Sequence, residues 1–347
     1  MKKNLVVALS ILIFSSLIFS ACAPVAAPVE EAPEAEEAPA AEEAPAKKTE
    51  YTIGVTQRWG TAPFLRTIAV GAQDAAKEWE EKLGVKITVI VTDAGNDDPA
   101  KQVRDMEDLA AQNIDGLLLF PGDSTMVAEP LVNIYNKNNI PVVVTDIGIE
   151  YGDYVSFIIT NNTTAGEMAG ERMAEIAKPG SKVVAFNHGP GQLNVQARIA
   201  GFTAKATELG LVVLPEKTLN MSAEEGAKLM EDLLVAEPDI AGVFTVGTPP
   251  AIGAVSALKA ANNTTCKVIA FDPDGETYKL IQEENPILAG IVVQDPYFMG
   301  FEGMNQLMYS LTGETGKIVK NIDSPITVLT PANAKEYADN PQIVLNQ

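Results

Sequence analysis

The chain has 347 residues and a formal net charge of −21, with 46 acidic residues against 25 lysines and arginines. This acidic balance argues against nucleic acid as a partner, because binding to phosphates depends on lysine and arginine. With two cysteines, one histidine and no GxSxG, Walker, CxxC or HExxH motif, the chain is expected to be neither an enzyme nor a holder of a cofactor or metal.

The N-terminus has the pattern of a secretory signal. Two lysines precede an apolar stretch over 5–19, which is too short for a comfortable membrane span. Cys22 follows two small residues, as in a lipobox, although Phe19 stands where leucine is usual. We therefore expect residues 1–21 to be removed and a lipid on Cys22 to anchor the protein outside the cytoplasm, at a bacterial membrane. The alternative is an ordinary signal peptide with an incidental cysteine.

Residues 22–48 are predicted to be a tether. Positions 30–46 repeat glutamate, alanine and proline without any aromatic or β-branched residue. Such a segment cannot build a core, because the glutamates repel one another and the prolines prevent a continuous helix. The pattern favours an extended, solvated spacer between the lipid and a folded domain.

The segment that follows residue 48 is long enough to fold into two lobes. Short β-branched runs alternate with amphipathic stretches, which predicts an α/β fold of two doubly wound parallel sheets with helices on both faces. Helical spacing of apolar residues over 64–82 places Trp79 in the core, and Cys266, beside an apolar run, is expected to be a buried structural thiol. Strands are predicted near 51–56, 86–91, 116–120, 141–145, 155–159, 182–186, 211–214, 241–245, 267–271 and 288–293.

Polar residues follow many of these strands. In open α/β sheets, ligands bind beyond the carboxyl ends of the strands, so these residues are the candidates for a binding site. Together they suit a neutral polyhydroxyl ligand, since carboxylates accept hydrogen bonds from hydroxyls, amides and an arginine donate, and an indole covers an apolar ring face. With the aromatic residues and the proline that follow the first strand, the set is Gln57, Arg58, Trp59, Pro63, Phe64, Asp93, Asn96, Asp123, Asp146, Asn187, His188, Thr248, Asp272, Gln294 and Asp295.

The order and spacing of several segments resemble the periplasmic type I sugar-binding proteins, whose best known member binds ribose. The resemblance covers nearly all of residues 50–330. Its markers are Ala62-Pro63-Phe64, Asn96 through Pro99-Ala100-Lys101, Pro141-Val142-Val143 leading to Asp146, Arg198 with Gly201-Phe202, Phe271-Asp272, and Gln294-Asp295-Pro296.

This resemblance implies two lobes joined by three crossing segments. The first lobe would comprise 49–159 and 295–323, and the second 160–294 and 324–347. The lobes would close on a sugar or polyol, and the closed monomer would deliver it to an ABC permease driven by a separate ATPase. The alternative is a receptor subunit that presents a sugar or furanose autoinducer to a membrane sensor.

The resemblance also implies roles for individual residues. Asp146 and Asp272 would bind sugar hydroxyls, with helix or turn capping as the alternative for each. Arg198 would bind from the second lobe, unless it is exposed and paired with a carboxylate such as Glu208. Trp59 and Phe64 would stack on the sugar or else pack beneath the cleft, Gln294 would contribute an amide, and Met221 would form an apolar wall.

Three departures argue against ribose itself. Ile147 replaces an arginine, Gly247 replaces an asparagine, and Arg58 stands where a small hydroxyl residue is usual. Unpartnered buried hydroxyls cost about 1 to 3 kcal/mol each, so another pentose, a hexose, a polyol or a furanose-like compound is expected. Arg58 would also suit a ligand with a carboxylate, or it would point out of the cleft.

Overall fold

The computed structural model describes residues 48–60, 62–95, 98–188 and 192–340. The predicted signal, Cys22, nearly all of the predicted tether, Asn96 and the last seven residues lie outside these ranges. The strands, in chain order, are β1 (Glu50–Gln57), β2 (Lys86–Asp93), β3 (Gly116–Leu119), β4 (Val142–Thr145), β5 (Ser156–Thr160), β6 (Lys182–His188), β7 (Val212–Val213), β8 (Lys217–Leu219), β9 (Gly242–Thr245), β10 (Lys267–Phe271), β11 (Leu288–Gln294), β12 (Asn321–Ser324) and β13 (Ile326–Leu329).

Helices occupy most of the intervals between strands. They are α1 (Pro63–Leu83), α2 (Pro99–Ala111), α3 (Ala128–Pro130, continued by a π-helix over Leu131–Asn136), α4 (Asn162–Ile176), α5 (Leu193–Glu208), α6 (Ala223–Ala236), α7 (Thr248–Ala260), α8 (Gly275–Leu280) and α9 (Pro296–Leu311). Asp98, Asn161, Ser222, Asp274 and Asp295 cap helices by accepting hydrogen bonds from backbone amides in the first turn.

The strands form two sheets. The first has the order β12-β5-β4-β3-β1-β2, and all of its pairs are parallel. The second has the order β13-β11-β10-β9-β6-β7, with β8 also paired to β6. Its strands are parallel except β13, which runs antiparallel to β11. The predicted doubly wound architecture is confirmed, with this antiparallel edge strand as an addition.

Apolar cores line both faces of each sheet. Helices α1 and α9 pack together on one face of the first sheet, and α2 and α3 lie on the other. In the second sheet, α4 and α5 cover one face while α6 and α7 cover the other. Below, the first lobe means the first sheet with α1–α3 and α9, and the second lobe means the second sheet with α4–α8.

The chain passes between the lobes at three points. It leaves the first lobe between β5 and α4, returns between β11 and α9, and leaves again between β12 and β13. Each passage is short, since a single residue separates the element in one lobe from the next element in the other. Ser324 Oγ donates a 3.1 Å hydrogen bond to the carbonyl of Asp295, so two of the crossings are tied to each other.

The sequence predicts that Trp79 and Cys266 are buried, and the packing agrees. Trp79 is 3 % exposed and donates a 2.8 Å hydrogen bond from its indole to Asn305 Oδ1, which confirms its place in the core. Cys266 is fully buried, and burial raises the pKa of its thiol to about 12. Among the described residues, no helix is both long and apolar enough to cross a membrane.

Candidate functional site

Two aspartates occupy corresponding positions in the two lobes. Asp146 directly follows β4 and Asp272 directly follows β10. Both have left-handed backbones, with φ of 65° and 62°, a conformation that aspartate tolerates better than most residues. Each amide donates a 2.9 Å hydrogen bond to the adjacent strand, at Ile158 and Val292 respectively. The same turn therefore ends a central strand in each lobe and places a carboxylate there.

Arg198 is buried in the second lobe. Its Nε donates a 2.8 Å hydrogen bond to Asn162 Oδ1, and its Nη1 donates a 3.3 Å bond to the carbonyl of Val246. The guanidinium carbon lies 3.6 Å from the centre of the Phe271 ring, which is a cation–π contact. These contacts hold the guanidinium plane in one orientation.

The alternative of an exposed Arg198 paired with Glu208 is wrong. Arg198 is only 7 % exposed, and Glu208 instead pairs with Lys205 at 2.9 Å. Helix α5 carries Arg198 close to α4 because Gly166 faces it: a Cβ there would clash with the Arg198 carbonyl. A small residue on α4 thus allows the close helix packing that buries the arginine.

The two carboxylates and Arg198 form one electrostatic group. Burial raises the pKa of Asp146, and the charges of Arg58 and Arg198 oppose that effect. Burial also raises the pKa of Asp272, opposed by Arg198 and by a hydrogen bond from Gln294, while Asp146 raises it further. Burial lowers the pKa of Arg198, and Asp272 and Asp146 counteract this. Asp146 belongs to the first lobe and Arg198 to the second, so the interaction links the lobes.

Two side chains fix the position of Asp272. Gln294 Nε2 donates to both carboxylate oxygens, at 3.0 and 3.1 Å. Thr248 Oγ1 donates a 2.7 Å hydrogen bond to the Asp272 carbonyl. The cap of α8 is Asp274, which forms a capping box with Thr277. Asp272 is therefore not needed as the cap of that helix.

The connection after β1 and the first turn of α1 supply three of the predicted residues. Arg58 is half-buried, and its charge lowers the pKa of Asp146, so it lies near the carboxylate of the group described above. Trp59 is 44 % exposed. Phe64 is half-buried and packs against the apolar core of the first lobe.

Met221 lies in the short connection between β8 and α6. It is half-buried and contacts Gly247, which sits between the Arg198-bound carbonyl of Val246 and Thr248. The structure thus brings Met221 to the same part of the second lobe as Arg198 and Asp272.

Sequence reasoning missed the role of Asn162. It does not cap α4: Asn161 is the cap and accepts a 3.2 Å hydrogen bond from the Thr164 amide. Asn162 is instead buried, accepts from Arg198 and donates a 2.9 Å bond to the carbonyl of Thr160. Its position two residues after β5, at a crossing between the lobes, is the signal that the sequence offers.

In the described part of the chain, no group of three histidine, cysteine, aspartate or glutamate side chains is arranged to hold a metal ion. The cysteine in that part, Cys266, carries a buried, protonated thiol. The site offers hydrogen bonding and charge complementarity rather than a nucleophile.

Several known proteins are similar to this chain in sequence or in fold. Residues 53–315 match the family model described as periplasmic binding protein domain. The ribose import binding protein RbsB of Bacillus subtilis is 31 % identical over 283 residues, covering 82 % of this chain and 88 % of the relative. The D-apiose import binding protein of Actinobacillus succinogenes is 28 % identical over 282 residues, covering 79 % and 86 %. The solved arabinose binding protein AraP of Geobacillus stearothermophilus is 25 % identical with a TM-score of 0.73, covering 84 % and 99 %.

Proposed function

Because this chain belongs to the sugar-binding solute-binding proteins of ABC transporters, we propose that it captures a sugar or polyol between its lobes and delivers it to an ABC permease. The observation that carries the proposal is the electrostatic group of Asp146, Arg198 and Asp272, which draws on both lobes. Carboxylates accept hydrogen bonds from vicinal hydroxyls, and the guanidinium donates to ring or hydroxyl oxygens. The relatives are binding proteins and not enzymes, so binding is the activity.

The charges around the site favour a neutral ligand. Arg58 and Arg198 act on Asp146, and Arg198 also acts on Asp272, so two positive groups balance two negative ones. An anionic ligand would add a third negative charge in a buried setting, where an unbalanced charge is costly. This argues against the carboxylate-bearing ligand that Arg58 alone would suit.

Ribose is not the ligand that we propose. Ile147 and Gly247 offer no side-chain hydrogen bond where the ribose binder has an arginine and an asparagine. Relatives at comparable identity are named for ribose and for D-apiose, and a solved neighbour is named for arabinose. Overall sequence similarity to these relatives therefore does not identify the sugar that this chain binds. The ligand has to be inferred from the residues of the site.

Capture would proceed by lobe closure. A ligand held by one lobe supplies hydroxyls to the other, so the closed form gains hydrogen bonds that the open form lacks. The three crossings are the places where the backbone would rotate. We assign the first lobe to 49–159 and 295–323 and the second to 160–294 and 324–347.

A thermal-shift screen of pentoses, hexoses, polyols and nucleosides tests the ligand class. We expect stabilisation by one or a few sugars or polyols, and stabilisation by nucleosides alone would contradict the sugar proposal. Small-angle scattering with a binding sugar should show a smaller radius of gyration than without it. An unchanged radius with a saturating ligand would remove the closure mechanism.

We further propose that a lipid on Cys22 holds the protein at the membrane and that residues 22–48 act as its tether. Members of this family work outside the cytoplasm, and a tethered receptor would stay within reach of its permease. The variant Cys22→Ser should be released from membranes and still bind its ligand with unchanged affinity. Membrane attachment that persists in this variant would contradict lipidation.

A further inference from the structure

The end of the Met221 side chain lies against Gly247, whose backbone conformation does not itself require glycine. Its φ of −167° and ψ of 170° are extended angles that any residue adopts. A Cβ at this position would lie 2.5 Å from Met221 Cε and 2.7 Å from Met221 Sδ, which is closer than nonbonded atoms approach. The thioether of Met221 therefore fills the volume that a side chain at position 247 would occupy.

This pair lies beside the charged group. Gly247 is flanked by Val246, whose carbonyl accepts from Arg198, and by Thr248, whose hydroxyl donates to the Asp272 carbonyl. Met221 reaches it from the end of β8, and β8 and β9 both pair with β6. The strand ends thus bring an apolar group to Gly247, between two residues that hydrogen-bond with Arg198 and with the backbone of Asp272.

The thioether of Met221 is apolar, whereas the predicted ligand-binding residues around it are polar or charged. A thioether is at best a weak acceptor and cannot donate a hydrogen bond. A sugar hydroxyl buried against it would lose a partner that water supplies, whereas a methyl, methylene or C–H group would lose nothing and gain contact.

We propose that Met221 and Gly247 form a matched pair that makes one corner of the site apolar and selects a deoxy sugar over its hydroxylated counterpart. The inference rests on the proposed function and names its substrate class more narrowly. The ligand presents hydroxyls to Asp146, Arg198 and Asp272 and an apolar group to Met221.

Matched sugar pairs test the selection by titration calorimetry on the full-length chain. The pairs are D-fucose with D-galactose, L-rhamnose with L-mannose, 2-deoxy-D-ribose with D-ribose, and 2-deoxy-D-glucose with D-glucose. In at least one pair we expect the deoxy sugar to bind about tenfold more tightly, the factor for one unpartnered hydroxyl. Equal or tighter binding of the hydroxylated sugar in every pair that binds would overturn the inference.

Substitutions at Met221 locate the effect. Met221→Gln has a similar length and adds hydrogen-bonding groups, so it should shift the affinity ratio about tenfold toward the hydroxylated sugar. Met221→Leu is the matched control, since it remains apolar and should keep the preference. A ratio that Met221→Gln leaves unchanged would assign the selection elsewhere and overturn the inference.

The packing of the pair has its own test. In Gly247→Ala the new Cβ should displace the flexible end of the Met221 side chain, which a crystal structure of the variant would show. An unmoved Met221 side chain in that variant would show that the two residues are not matched. If no sugar of any kind binds, the proposed function fails and this inference with it, whereas binding with an unaltered ratio overturns only this inference.

Discussion

The amide of Gln294 donates hydrogen bonds to both carboxylate oxygens of Asp272, at 3.0 and 3.1 Å. Gln294 ends β11 and stands directly before the crossing to α9, whereas Asp272 ends the neighbouring strand β10. A carboxylate of the site is thus oriented by a residue at the passage between lobes. A change in the position of either residue would alter these hydrogen bonds and so the orientation of the other side chain.

Asp272→Asn should lower the affinity for the sugar identified in the screen by about 10- to 100-fold. The reason is that hydrogen bonds to a charged acceptor are roughly twice as strong as neutral ones. Asparagine tolerates the left-handed backbone at φ 62°, so the fold should be kept. Asp272→Ala would add backbone strain of about 1 kcal/mol to the loss of the carboxylate, which makes it the poorer test. Calorimetry measures the affinity, and full affinity of Asp272→Asn would remove Asp272 from the site.

Asn162→Ala should lower ligand affinity about 5- to 10-fold by leaving the Nε of buried Arg198 without its hydrogen-bond partner. The neighbouring Asn161→Ala is a matched control, because it removes the cap of α4 and costs about 1 kcal/mol of stability. That control should bind the ligand normally. If both variants lose affinity equally, the effect comes from the helix terminus and not from Arg198.

The free energy of unfolding should depend on the ionisation of Asp146 and Asp272. Both have a pKa raised above the usual 3.8, so the folded protein binds these protons more tightly than the unfolded chain. Their favourable contribution is complete below the unfolded pKa and is lost as the pH rises through the higher folded pKa. The ligand-free wild type should therefore lose stability relative to the doubly substituted Asp146→Asn, Asp272→Asn protein as the pH rises.

Chemical denaturation at a series of pH values from about 4 to about 8 measures this difference. Other carboxyls titrate in both proteins and cancel. A wild type that gains stability relative to the double variant over this range would show that the two carboxylates are stabilised by their surroundings when charged.

Cys266 should resist thiol reagents in the native protein. Its side chain is fully buried and its thiol pKa is raised to about 12, so very little thiolate forms at neutral pH. In the Cys22→Ser variant, we expect labelling only after denaturation, followed by mass spectrometry. Rapid labelling of the folded protein would indicate frequent local opening around β10.

Much of the architecture was predictable because its signals are local. The β-branched run over 267–271 and the helical spacing around Trp79 each identify an element without knowledge of its neighbours. The short β8, β12 and β13 were not predicted, since a few residues carry little pattern and pairing depends on the partner strand. The antiparallel direction of β13 is likewise set by the crossing that precedes it.

Sequence alone determined the alternation of strands and helices and the polar residues at the strand ends, because backbone periodicity and turn chemistry act within a few positions. Its composition, with one histidine and two cysteines, also argued against a catalytic site. Only the tertiary structure decided which of these residues meet: that Arg198 is held by Asn162 and Phe271, and that Met221 occupies the space beside Gly247. Such contacts join residues far apart in the chain, so they depend on how closely the helices pack and how the strands align.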